Sequence, residues 1–250
     1  MRLVSCVRRL ITFVSTFLRG ALKECPRDFY GRMQFRPPHN QLVTQGEILT
    51  IMHPTEVAAG YDLLAEHWQS EDLDLKNGMD AMRRALTFCQ EGRYALDVGC
   101  GCSGRFIDTL CSAGFTPQGV DLSSQMIRLA KLRHPHVTFH TQDICTWLLP
   151  RQYDFICAWD SLWHVPLTEQ ANVLNKLMAH LSPGGVCLFS MGGLDQPHEK
   201  QDAVMGPKMY YSTLGIPQTL TLITQSDCVC RHLEYDQHPE THVYVIAQKR

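Results

Sequence analysis

The chain has 250 residues, 44% of them apolar and 19% charged, with a formal net charge of −2 at pH 7. That is enough chain to bury the core of one large α/β domain, and no run reaches the roughly 18–20 apolar residues of a membrane-spanning helix. Charge is uneven: residues 1–51 carry eight Lys/Arg against three Asp/Glu, and residues 52–250 carry fifteen against twenty-two. An acidic main domain reads as an ordinary solvated surface and sets aside a nucleic-acid backbone as partner.

Eleven cysteines, an odd number without a secreted-scaffold rhythm, read as reduced thiols of a cytoplasmic protein. The two C-x-C pairs, Cys100/Cys102 and Cys228/Cys230, lack partners at ligand spacing, so no metal site is expected. In the basic first segment, Leu10 to Leu18 is apolar but short, flanked by Arg8, Arg9 and Arg19. Three readings compete there: a targeting or membrane-surface helix within residues 1–23, a loosely ordered arm, or a start placed too early, with Met52 the true first residue. The last two are preferred together. Residues 1–51 are therefore set apart as an N-terminal extension, and 52–250 as one domain with a helical cap.

In chain order, Arg36-Pro37-Pro38-His39-Asn40 is a breaker cluster. Helical spacing of Val57, Ala58, Tyr61, Leu64, Ala65 and Trp68 predicts a helix over Pro54–Ser70, and Leu75, Met79, Met82, Leu86 and Cys89 predict a second over 74–90. Tyr94 to Val98 reads as a buried strand, followed by glycines at Gly99, Gly101 and Gly104 and a helix from Arg105 to Ala113. The pattern repeats: strand Pro117–Val120, a helix Gln125–Arg133 capped by Ser123 or Ser124, and strands Val137–His140 and Tyr153–Trp159. A helix capped by Thr168 then runs to His180, and Pro183-Gly184-Gly185 turns into a strand, Val186–Ser190. The stretch from Gly192 to Gly215 reads as a long loop, and Thr219–Thr224 and His242–Gln248 as closing strands, with an antiparallel pair at the edge. Alternating strands and helices define a doubly wound, mostly parallel sheet.

The informative stretch is Leu96-Asp97-Val98-Gly99-Cys100-Gly101-Cys102-Ser103-Gly104. Its glycines allow a tight turn and close approach of a ligand to backbone N–H groups. On its own this fingerprint serves many nucleotides, so the acids beside it decide. Asp97, Asp121, Asp143 and Asp160 all fall at strand ends, where open α/β sheets bind ligands. Asp121, after the second strand, suits two ribose hydroxyls. Asp143 suits the exocyclic amine of adenine. Asp97 would repel a pyrophosphate and attract an ammonium group. The ligand implied has an amine, a ribose and an adenine.

On these residues the chain resembles the class I S-adenosylmethionine-dependent methyltransferases. The resemblance runs from about Tyr61 to Gln248 and rests on Leu96–Gly101, Gly119-Val120-Asp121-Leu122-Ser123, Gln142-Asp143-Ile144, Tyr153-Asp154-Phe155-Ile156 and Leu181-Ser182-Pro183-Gly184-Gly185. It implies a Rossmann-like sheet of seven strands with a reversed edge strand, and S-adenosyl-L-methionine as cofactor. It would place Asp97, Gly99, Cys100 and Gly101 against the methionine part, Asp121 and Leu122 at the ribose, and Asp143 with Ile144 at the adenine. One departure stands out: Ser103 takes the usual third glycine position and Gly104 follows it.

In the segment Trp159-Asp160-Ser161-Leu162-Trp163-His164, His164 is the candidate general base, with Asp160 as its orienter or as a cofactor contact, and Trp163 as a pocket wall. The Asn/Asp-Pro-Pro-Tyr/Phe stretch of relatives that methylate adenine or glutamine is missing, which favours a small organic acceptor. Whether O, N, S or C is methylated stays open. An NAD-dependent oxidoreductase and a non-catalytic adenosyl-binding protein are the competing readings.

Overall fold

The computed structural model describes residues 52–69, 74–90 and 92–250, which all fall within one compact unit. The expected N-terminal extension, residues 1–51, lies outside the described residues.

A strand covered on both faces must be apolar on both, and Tyr94–Val98 (β1) is buried from Ala95 to Val98. It lies third in a seven-stranded sheet. Two parallel strands, Thr116–Asp121 (β2) and Thr138–Thr141 (β3), flank it on one side, and Tyr153–Ala158 (β4) and Leu181–Gly192 (β5) on the other. The chain runs outward from β1 to β3 and then crosses back to β4. The switch point therefore opens between the carboxyl ends of β1 and β4, directly at the glycine turn.

Among the described residues, six helices cover the faces: Pro54–Leu64 (α1), Met79–Leu86 (α2), Arg105–Ser112 (α3), Ser124–Arg133 (α4), Leu167–Ala179 (α5) and Ile216–Gln225 (α6). The α1 helix starts with a capping box between His53 and Glu56 and Pro54 in its first turn. It is pinned to the start of α4 by Asp62, which accepts from Ser123 Oγ (2.6 Å) and Gln125 N (3.0 Å). Ser123 is the α4 cap, its hydroxyl accepting from Met126 N.

Several expected boundaries moved. The first predicted helix ends at Leu64 and resumes only as a 3-10 turn, His67–Gln69. The second starts at Met79, because Asp74–Gly78 forms a turn with Gly78 at φ 79°, and this leaves Leu75 exposed. The α5 helix begins after Pro166 rather than at Thr168; the Tyr210 hydroxyl accepts from Leu167 N and satisfies a free helix-start donor.

Thr219–Thr224 is not a strand but part of α6. Its Thr-Leu-Thr-Leu alternation mimics a two-residue period, yet Ile216, Leu220 and Ile223 form one helical stripe. The threonine hydroxyls settle into the helix by bonding back to carbonyls, Thr221 to Pro217 and Thr224 to Leu220. The strand preceding the last one is instead Cys228–Glu234 (β8). His242–Lys249 (β9) runs antiparallel to both β5 and β8, so the reversed strand lies one in from the edge. The stretch read as a loop after β5 contains a hairpin, His198–Asp202 (β6) with Met209–Thr213 (β7), whose second strand is wholly buried.

Candidate active site

The glycine turn is held from both sides. Gly99 N and Cys100 N donate to Val120 O, Gly101 N donates to Asp121 Oδ2 (3.0 Å), and Ser161 Oγ donates to Val98 O. Gly99 has φ 68°, and a Cβ there would lie 2.2 Å from Ser161 Cβ. Gly101 has φ 54°, and a Cβ there would meet nothing within 4 Å. The two glycines thus do different things. One lets β1 and the segment after β4 close on each other; the other borders the open space of the cavity. We expect Gly99→Ala to cost several kcal/mol of stability, on the order of 2–4, from overpacking and left-handed strain combined. Gly101→Ala should lose about 1–2 kcal/mol from strain alone, measured by denaturant unfolding; equal losses would refute the distinction. The departure at Ser103 resolves here as well: Gly104, at φ 71°, begins α3, and the Ser103 hydroxyl accepts from Arg105 Nη1.

All the expected cofactor-binding and catalytic residues meet on one cavity. Asp97, Gly99, Cys100, Gly101, Asp121, Leu122, Asp143, Ile144, Asp160 and His164 line it, together with Tyr61, Trp68, Arg105, Gln142 and Trp159. Asp97 is 3% exposed, and no hydrogen-bond donor among the described residues reaches its carboxyl. Burial pushes it up to about 7, against the pull of Arg105 and with a further push from Asp121. Asp121 is raised by burial too, against backbone N–H groups of Ser123, Gly101 and Leu122. Asp143 caps a turn by accepting from Cys145 N. The loop it opens is fastened by Lys176, which donates to the carbonyls of Ile144, Cys145 and Trp147.

His164 is half-buried in a 3-10 turn, Leu162–His164. Its Nδ1 lies 2.7 Å from Tyr210 O, and a carbonyl only accepts, so Nδ1 carries the proton. Nε2 is then the basic atom, facing the Tyr61 hydroxyl at 2.7 Å and the Trp163 indole N–H at 3.1 Å. Burial lowers His164 to about 4, so the ring is neutral at physiological pH. The orienter is therefore the Tyr210 carbonyl, not Asp160. The Asp160 oxygens accept instead from Asn77 Nδ2, Ser190 Oγ and His242. Trp163 is also displaced from its expected role: it backs His164 and is not among the residues lining the cavity. The hairpin likewise sits behind His164, through Tyr210 and the Tyr211 ring.

Sequence reasoning missed Arg105, Asn77 and His242. Arg105 had a signal, because it directly follows the last glycine of the motif. Nothing local marks the other two. The thiols on the cavity stay protonated: burial and Asp121 push Cys100 well up, and burial raises Cys102 to about 11 and Cys145 to about 12. Among the described residues, no group of three His, Cys, Asp or Glu side chains is placed to hold a metal ion.

A doubly wound sheet of this strand order, with an acid-flanked glycine turn at its switch point, defines the Rossmann-like methyltransferase class. A family profile described as "Methyltransferase domain" matches residues 65–246, and the chain belongs to that family. Trans-aconitate 2-methyltransferase of Methylobacterium radiotolerans is 32% identical over 130 residues, covering 50% of this chain and 48% of that protein. Ubiquinone biosynthesis O-methyltransferase of Bordetella bronchiseptica is 28% identical over 145 residues, covering 52% and 58%. The chain thus spans about half the length of these curated relatives. Among solved structures, an S-adenosylmethionine dependent methyltransferase from Mesorhizobium loti shares the fold at a TM-score of 0.57 and 20% identity, covering 69% of this chain and 97% of that one. One from Clostridium acetobutylicum does so at 0.56 and 15%, covering 78% and 98%.

Proposed function

We propose that the protein binds S-adenosyl-L-methionine and transfers its methyl group to a small organic acceptor. The observation that carries this reading is Asp97: a buried carboxyl with no hydrogen-bond donor among the described residues, beside a glycine turn, fits a cationic ligand. A dinucleotide would instead set a pyrophosphate against that acid, at a Coulombic cost in a water-poor site. The residues present fit the cofactor: Asp97 and Asp160 can receive its ammonium, Arg105 its carboxylate, Asp121 its ribose hydroxyls, and Asp143 with Ile144 its adenine. When bound, the cofactor supplies a methyl group already activated by a positive sulfur.

The chain's own residues align the acceptor, exclude water and manage one proton. Pro54, Val57, Ala58, Leu162 and Val165 give the cavity an apolar wall around Tyr61 and His164, which suits an organic acceptor with a polar end. With the cofactor bound as methyl donor, an acceptor O–H or N–H would hand its proton to the Tyr61 oxygen. The Tyr61 proton passes in turn to His164 Nε2, which later yields it to solvent.

The test is a thermal-shift and activity screen. S-adenosylhomocysteine should stabilise the protein and NAD should not, and a metabolite library should yield a methylated product. Stabilisation by NAD alone overturns the reading in favour of an oxidoreductase. Binding without product from any acceptor favours an adenosyl-binding protein. Asp121→Ala should weaken S-adenosylhomocysteine by about 1.5–3 kcal/mol for each charge-assisted bond lost, roughly ten- to more than hundred-fold. Unchanged affinity removes Asp121 from the site.

No helix among the described residues is long and apolar enough to cross a membrane. The nine free cysteines among them fit a reducing, cytoplasmic setting, and the acidic charge of residues 52–250 fits a small-molecule substrate rather than a nucleic acid.

A further inference from the structure

His242 is 1% exposed, on the reversed strand β9, and both of its ring nitrogens face carboxylates. Nδ1 lies 2.5 Å from Asp236 Oδ1 and Nε2 lies 3.0 Å from Asp160 Oδ1. A neutral imidazole has one donor and one acceptor, so it would set a lone pair against one of these oxygens. With both acids ionised, only the imidazolium satisfies both. Two indoles pack beside the ring, Trp159 at 5.4 Å and tilted, and Trp163 at 5.7 Å and nearly perpendicular. Burial disfavours the charge, but the bonds to Asp160 and Asp236 outweigh it and raise His242 to about 9.

The consequence falls on Asp160, which lines the cavity at φ 53°, a left-handed conformation uncommon for residues with a Cβ. Its backbone N–H donates to Ser190 Oγ (2.7 Å). Its carboxylate accepts from His242, Ser190 Oγ and Asn77 Nδ2, three of the roughly four bonds that a carboxylate takes. Burial opposes its charge, yet His242, Arg105 and Asn77 hold it below the usual range. Three further charged or titratable groups bear on this wall. Arg105 comes from α3, His164 from the 3-10 turn after β4, and Asp236 from the segment between β8 and β9.

We infer that His242 and Asp236 are positioning residues, which hold Asp160 ionised and aimed into the cavity so that it receives the ammonium of the cofactor's methionyl tail. This deepens the proposed cofactor reading and rests on it. Asp97 and Asp160 then face the same cation from opposite sides of the switch point, one from β1 and one from β4.

A pair of ligands that differ in the tail tests this. S-adenosylhomocysteine carries the ammonium; 5′-methylthioadenosine lacks the whole amino-acid tail. His242→Gln should weaken S-adenosylhomocysteine about 10- to 100-fold and methylthioadenosine less than about twofold. Asp236→Asn should show the same pattern at about 3- to 10-fold, and it decides the matter if the His242 variant does not fold. Equal losses for both ligands, or no loss, overturn the inference. Nitrogen-15 spectra of the labelled wild-type protein at pH 7.5 should show protons on both His242 nitrogens, and a neutral ring there overturns it as well. If the wild type binds neither ligand, the cofactor reading falls and this inference with it. If only the differential fails, the cofactor reading stands.

Discussion

Asp97→Asn should lower affinity for S-adenosylhomocysteine by about 10- to 100-fold at pH 7.5 and flatten its dependence on pH. Hydrogen bonds to charged groups contribute about 1.5–3 kcal/mol, and this carboxyl has no other donor among the described residues to share with. In the ligand-free protein it holds its proton up to about 7, because it is buried. Pairing with an ammonium requires that proton to leave. Affinity should therefore rise as pH increases towards 7, level off, and fall once the ligand's own amine, near the ordinary α-amino range of about 8, loses its charge. Calorimetry near pH 7 in two buffers of different ionisation enthalpy should detect the released proton.

The same group predicts a stability effect of opposite sign. Its folded value lies above the unfolded value of 3.8, so the unfolded chain ionises first, and stability is lost as pH rises from about 4 to 7. Asp97→Asn should accordingly raise the melting temperature of the ligand-free protein at pH 8 while it weakens binding. An anion buried in readiness for a cation destabilises the empty fold. Should the variant bind normally and melt no higher, Asp97 is not the ammonium site.

His164→Asn should lower kcat with the acceptor found in the screen by about 10²- to 10⁴-fold, the usual scale of general-base catalysis. Affinity for S-adenosylhomocysteine should stay within about threefold. Asparagine retains a donor for the Tyr210 carbonyl and removes the basic nitrogen, which separates proton transfer from packing. Tyr61→Phe, which breaks the link to the imidazole, should slow turnover in the same direction. Because burial holds His164 near 4, the base is neutral across the physiological range, and kcat should show no His164 limb above about pH 5. A loss in kcat below about threefold would mean that the acceptor arrives deprotonated and needs no base.

The site divides cleanly by how far its partners lie apart in the chain. Asp97, Gly99, Gly101, Asp121 and Asp143 were legible because each sits at a strand end, within a few residues of the turn that aims it. Asp160 and His164 were legible as positions, but their roles were not. The Asp160 oxygens went to Asn77, 83 residues away, and His242, 82 residues away, and His164 found Tyr61, 103 residues away. Secondary structure failed in the same way. Thr219–Thr224 carries a two-residue alternation that only the stripe buried against α5 and β8 could overrule.

Alternation of apolar runs, turns and acids thus determined the doubly wound sheet and the acids that line the cavity, because those features depend on local backbone geometry and on burial on both faces. Tertiary structure alone decided which charges survive and which lone pairs point where. Protonation follows from desolvation and from partners brought together across the sheet. The imidazolium of His242, the neutral ring of His164 and the raised carboxyl of Asp97 therefore have no signature in sequence spacing.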